Sequence, residues 1–246
     1  GGKTLALLTG LPFWSMTLAL AAIAYSYSRF SGIKASVATD VVQLGIILLG
    51  GALLVALGLR LTSGLETVRA GLGSISGEYT SLTSASGVEV LLSFGLPTAV
   101  GLISGPFGDQ CFWQRAFSIQ EDRIGRSFFA AALLFALVPI AMGTVGFLAA
   151  GSGFQAADPG MVNFEFVMSL LPAWVLVPFL FMVISGLLST VDSNLCAAAS
   201  LTTDWMTSEG ADNIRVSRRV MLALLLVVVI FGVIGGCLGI LTYAAA

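Results

Sequence analysis

The amino-acid sequence predicts an all-α fold, a polytopic bundle of about six transmembrane helices. Of its 246 residues 57% are apolar and only 10% charged, against roughly 25% charged in a typical soluble domain, and the mean hydropathy is +0.99. Nearly uncharged runs of about 18 to 25 residues, long enough to cross a bilayer, recur along the whole chain. The runs are continuously apolar instead of alternating. That selects helices over barrel strands, because backbone groups in lipid must be paired within a helix or a closed barrel.

Residues 5–27, 41–59, 88–104 and 128–150 form the first four predicted spans. Residues 170–201 and 220–243 complete the set. The fifth run is long: at 1.5 Å per residue it would reach about 48 Å, more than a hydrocarbon core of about 30 Å needs, so it tilts or protrudes. Pro139, Pro172 and Pro178 are expected kinks, and Trp14 and Trp174 outer-leaflet belt residues. The segment 62–87, rich in Gly, Ser and Thr, is the natural boundary between two helical subsets of one transmembrane domain covering residues 1–246. The chain opens at Gly1 without a Met and closes directly after an apolar run. It is therefore expected to be a fragment of a larger protein.

Charge sets the orientation. Arg29 and Lys34 follow the first span, Arg115, Arg123 and Arg126 the third, and Arg215, Arg218 and Arg219 the fifth, all on one side. The other side has Lys3, Arg60 and Arg69, and the positive-inside rule assigns the richer side to the cytoplasm of a cell membrane. The net charge of −2 and the lack of a Lys/Arg cluster large enough to neutralise a row of phosphates argue against a nucleic-acid partner. Lipid is the expected surround. Cys111, Cys196 and Cys237 are odd in number and widely spaced, which fits neither a disulfide framework nor a metal site. With no histidine and no paired carboxylates facing a nucleophile, an enzyme is not expected.

One stretch resists a purely apolar reading. Ser189, Thr190, Asp192, Ser193 and Asn194 fall within six residues of the fifth span. Ser185, Ser189, Ser193 and Ala197 recur at four-residue steps and so share a helical stripe. Such a stripe can let helices approach and hydrogen-bond, or present oxygens to a cation or solute. A hard cation such as sodium takes several oxygen ligands, and hydroxyls with backbone carbonyls supply them. Thr39 and Asp40 stand just before the second apolar run, where Asp40 could be an N-cap. Gly105, Pro106 and Gly108, around Phe107, interrupt the end of the third span, and Asp109 and Gln110 follow. Helix-breaking residues at that depth mark either a cavity lining or an ordinary helix terminus.

The segment "GLLSTVDSNLCAAASLTTDW" resembles the eighth core helix of the sodium:solute symporter family. Three further stretches resemble the same family in the same order. "GIKASVATDVVQ" is similar to the lead-in of the fifth core helix, "FGDQCFWQRAFSIQ" to the segment after the broken sixth, and "RVSRRVMLALLLVVVI" to the start of the ninth. The resemblance covers nearly the whole chain and implies core helices four to nine of a LeuT-like inverted-repeat fold. It further implies a sodium site built from the hydroxyls of Ser189 and Thr190 and the carbonyl of Gly186. Part of that site would come from a first core helix outside this chain. Asp40 corresponds to an acidic position near the cytoplasmic exit associated with sodium coupling, and Gly105, Pro106, Phe107, Gly108, Asp109 and Gln110 to a substrate pocket or gate. The implied activity is sodium-coupled symport of a small solute by alternating access. The competing implication is a transporter-like sensor domain leading into a signalling kinase.

Overall fold

A computed structural model of the chain describes residues 2–31, 33–74, 81, 83–206 and 213–237. Among these residues the regular structure is helical throughout, with no strand. The helices are α1 (Gly2–Thr9), α2 (Phe13–Ser31), α3 (Ile33–Leu61), α4 (Leu65–Gly71), α5 (Ala85–Val90), α6 (Leu96–Gly108), α7 (Gln110–Phe117), α8 (Ile124–Gly151), α9 (Val162–Leu170), α10 (Leu176–Met206) and α11 (Asn213–Cys237).

Five stretches are long and apolar enough to cross a membrane: Ser36–Leu61, Ala85–Gly108, Glu121–Gly151, Ala173–Met206 and Asn213–Gly235. They correspond to the second through sixth predicted spans. The first is divided, because the chain leaves the helix at Gly10, with φ 69°, and Pro12 follows, so α1 and α2 are separate. The fifth starts later than expected, since Leu171 is extended and Pro172 opens a new turn ahead of α10. The sixth begins earlier, at Asn213, and the predicted residues 238–243 lie outside the described ones.

The third span runs from Ala85 to Gly108 with a π turn at Leu91–Gly95. Pro97 has no N–H for the Ser93 carbonyl, so the hydrogen-bond ladder widens just ahead of it. The expected break at Gly105–Gly108 falls elsewhere. The helix continues through Gly105 and Pro106, and the chain turns at Asp109, whose backbone is extended (φ −96°, ψ 112°). Residues 75–80 and 82 of the proposed boundary segment 62–87 lie outside the described ones.

Residues up to Ile47 together with those from Phe181 onward form one compact unit, and Leu48–Leu180 form a second. In the second unit, α4 lies directly on α8, backbone against backbone. A Cβ added at Gly71 would overlap the Phe147 carbonyl, and one at Gly151 would overlap the Thr67 carbonyl. Only glycine permits this approach. Phe164 stacks on Phe179 at 6.2 Å, and Phe154 meets Phe166 edge to face at 5.5 Å.

The first unit is built on α2, the start of α3, α10 and α11. Cys196 and Ala199 of α10 pack on Met221 of α11, with Tyr25 and Val220 alongside. These are small residues facing one large one, which keeps the helices close. In the second unit, Leu102, Ile103 and Phe107 of α6 are each more than 60% exposed, as expected of a surface solvated by lipid.

Candidate functional site

Ser189, Asp192 and Ser193 of α10 meet α3 over the segment from Ser36 to Asp40. Helix α3 begins at Ile33, so Asp40 stands two turns inside it and is not an N-cap. There its carboxylate accepts a hydrogen bond from the Ser189 hydroxyl, Oγ to Oδ1 at 2.5 Å. One turn away, the donor and acceptor exchange helices. Ser36 Oγ of α3 donates to Asp192 Oδ1 of α10 at 3.2 Å, and Ser193 Oγ donates to the same oxygen at 3.3 Å. Thr39 Oγ1 lies 3.4 Å from Asp192 Oδ2 and 2.9 Å from the Ser36 carbonyl. The two helices therefore run antiparallel and are joined by two rungs, each pairing a hydroxyl with a carboxylate.

Asp192 is fully buried, Ser36 and Ser193 beside it are buried, and Thr39 is half-buried. An ionised carboxylate out of water is expensive unless hydrogen bonds or a cation compensate it. The three hydroxyls supply the first. The phenol of Tyr27, on α2, neighbours both Asp192 and Gln43, and it donates to the Leu188 carbonyl at 3.3 Å. Gln43 Oε1 is buried without a hydrogen-bond partner. That is an oxygen with two free lone pairs beside an all-oxygen cluster.

The remaining α10 residues sit on the neighbouring face. Thr190 is exposed, and its hydroxyl donates to the Gly186 carbonyl one turn back at 3.0 Å. Asn194 Nδ2 donates to the Thr190 carbonyl at 2.7 Å. Gly186 stands opposite Ile47, whose Cδ1 would lie 3.8 Å from an added Cβ. Thus Ser189 and Asp40 are brought together, as are Thr190 and Gly186. Ser36 and Tyr27 are not among the residues the sequence singles out. The one signal for Ser36 is its position four residues before Asp40, on the same helical face.

The residues Gly105 to Gln110 belong to the second unit. Asp109 caps α7 by accepting from the Cys111 N–H at 2.8 Å. Trp113 Nε1 donates to the Phe107 carbonyl at 3.4 Å, and Arg115 Nη1 to the Cys111 carbonyl at 3.3 Å. Phe107 itself is 79% exposed. Burial, and then the hydrogen bond and charge of Asp109, push the Cys111 thiol up to about 11.

The oxygens gathered by α3 and α10 are chemically suited to a hard cation and not to a soft transition metal. No curated protein and no solved structure shows significant similarity to the chain. A sequence model of the sodium:solute symporter family matches residues 1–242. Nearly the whole chain is covered, and with its five membrane-length apolar helices this multi-pass membrane protein belongs to the sodium:solute symporter family, whose members couple transport of a small solute to sodium.

Proposed function

We propose that α3 and α10 of the first unit form the binding region for the co-transported sodium ion, with Asp40 and Ser189 at its centre. The observation that carries this reading is the Ser189–Asp40 hydrogen bond, which joins two motifs 149 residues apart in sequence. A serine hydroxyl has one proton and two lone pairs. While Ser189 donates to Asp40, its lone pairs remain available to an ion, and the carboxylate supplies the compensating negative charge. Thr190 Oγ1, on the next residue, and the Gly186 carbonyl to which it donates, one turn back, are the next oxygens in reach on the same helix.

Symport follows if the bound ion favours one conformational state over another, because a ligand shifts an equilibrium only by its differential affinity. Asp40 is then the residue whose charge the ion relieves and restores as it enters and leaves. The solute is held or gated where α6 gives way to α7, by Gly105, Pro106, Phe107 and Gly108 of the last turn of α6, Asp109 at the turn and Gln110 at the start of α7. A turn that ends one helix and starts another offers backbone groups that a continuous helix would not.

The test uses sodium itself as the probe. Purified protein should unfold at a higher temperature in sodium chloride than in equimolar potassium or choline chloride, as any ion that binds only the folded state requires. Ser189→Ala and Thr190→Ala should each raise the sodium concentration for half-maximal stabilisation by about tenfold, the effect of losing one hydroxyl contact. Asp40→Asn should abolish it. Equal stabilisation by sodium and potassium, unchanged in all three variants, would remove the basis for the assignment.

A further inference from the structure

At the far end of the first unit α2 finishes and α11 begins, and there the chain holds several cations together. Arg218 Nε donates to the Arg29 carbonyl at 2.8 Å, in the last turn of α2, where helix carbonyls lack intrahelical partners. The Arg29 guanidinium lies over the Tyr25 ring, 5.8 Å from its centroid. The Tyr25 hydroxyl closes the triangle by donating to the Arg218 carbonyl at 3.3 Å. Three contacts to uncharged partners, two backbone carbonyls and one aromatic ring, thus hold two arginines in one place although like charges repel. Arg215 and Arg219 add positive charge from the same two turns of α11, and all four arginines are exposed. The apolar span Asn213–Gly235 starts at these residues, so they stand where hydrocarbon gives way to headgroups.

We propose that this end of the α2–α11 pair is a binding site for the phosphodiester of an anionic phospholipid, with Arg29 and Arg218 as its principal donors. A guanidinium offers a planar fork of donors that suits phosphate oxygens. Tethering Arg218 through Nε sets that fork before the lipid arrives, and the cation–π contact does the same for Arg29. A topological requirement for positive charge on one face is met by any lysine or arginine in the loop. It gains nothing from an arginine tied to the end of another helix, whereas a site for a single headgroup gains from donors already held in place. The membrane is also where the ligand is concentrated, because juxtamembrane basic residues draw anionic lipid to the protein.

The experiment uses the whole chain, purified in detergent and titrated with phosphatidylglycerol, phosphatidylcholine or inorganic phosphate. Unfolding temperature and lipid retained in native mass spectrometry are the readouts. Phosphatidylglycerol should raise the unfolding temperature and stay bound, whereas phosphatidylcholine and inorganic phosphate should do neither at the same concentration. Arg218→Lys, which keeps the charge and loses the fork, should weaken retention on the order of fivefold. The pair Arg215→Gln and Arg219→Gln, which leaves the Arg218–Arg29 contact untouched, should weaken it on the order of tenfold. If Arg218→Lys does not fold, the double glutamine variant decides. Equal effects of the two lipids, or retention unchanged in a folded Arg218→Lys variant or in the double variant, would overturn the proposal. A response to inorganic phosphate matching that of phosphatidylglycerol would overturn the lipid assignment in favour of a soluble anion.

Discussion

Replacing Asp192 by Asn should leave the fold nearly as stable as before. The carboxylate is fully buried and accepts from Ser36, Ser193 and Thr39 at 3.2, 3.3 and 3.4 Å. All three distances are longer than the usual O–H···O separation of about 2.8 Å, so each bond is worth about 1 kcal/mol, not the upper charged-acceptor value. Their sum, about 3 kcal/mol, is comparable to or smaller than the several kcal/mol that burying an ionised carboxylate costs. Asparagine removes that cost and keeps one accepting oxygen, so the change should stay within about 1 kcal/mol, a shift of about 2–4 °C. Asp192→Ala should be worse by about 1–2 kcal/mol. It strands one donor, while Ser36 and Ser193, already 3.5 Å apart, can pair with each other and Thr39 keeps the Ser36 carbonyl. Thermal and denaturant unfolding in detergent, followed by tryptophan fluorescence, separates the cases. A loss above about 3 kcal/mol for Asp192→Asn, with Asp192→Ala no worse, would mean that the negative charge itself holds the site together, and the balance drawn above would be wrong.

Two further predictions concern the second unit. Gly71→Ala and Gly151→Ala should each destabilise by about 2–3 kcal/mol, because the new methyl meets backbone that cannot rotate away. The double variant should cost less than the sum, since either change alone separates α4 from α8, and the same unfolding assay measures the shortfall. At Cys111, a thiol raised from its usual value near 9 to about 11 holds on the order of a hundredfold less thiolate at pH 8. With Cys196 and Cys237 changed to Ala, iodoacetamide should therefore alkylate the folded protein about a hundred times more slowly than the unfolded chain. Because the folded value is the higher one, the stability that this protonated thiol contributes is complete below about pH 9 and is lost as pH rises towards 11. Asp109→Asn should speed the reaction.

Much of this is legible in the amino-acid sequence. Continuous apolar runs fix the helices because lipid leaves the backbone no alternative, and five of the six appear as membrane-length helices. The divided first span was signalled by Gly10 and Pro12, whose local chemistry was outweighed by the apolar residues around them. Asp40 shows the opposite failure. A Thr-Asp pair ahead of an apolar run has the composition of a cap, yet Ile33 to Ala38 continue the helix backwards once α10 offers Ser36 a partner. Ser189 and Thr190 stood out from the lipid-like residues beside them. Their partners did not, because contacts between residues some 150 positions apart depend on how helices are set against one another, and hydroxyls on α3 look like ordinary surface residues until a carboxylate faces them. The close approach of α4 and α8 was hidden for the same reason: Gly71 and Gly151 are two glycines among 29.

The alternation of hydroxyl and carboxylate between α3 and α10 also restricts how these helices can move. Sliding one past the other by a turn would carry Asp40 from Ser189 to Asp192 and set two acidic groups face to face in a medium that screens charge poorly. Intermediate offsets would leave the hydroxyls without acceptors. Tilting, by contrast, lengthens one crosslink while preserving the other. The pair is thus geared to pivot and barred from ratcheting, so any rearrangement during a transport cycle must pass through changes of angle at this seam.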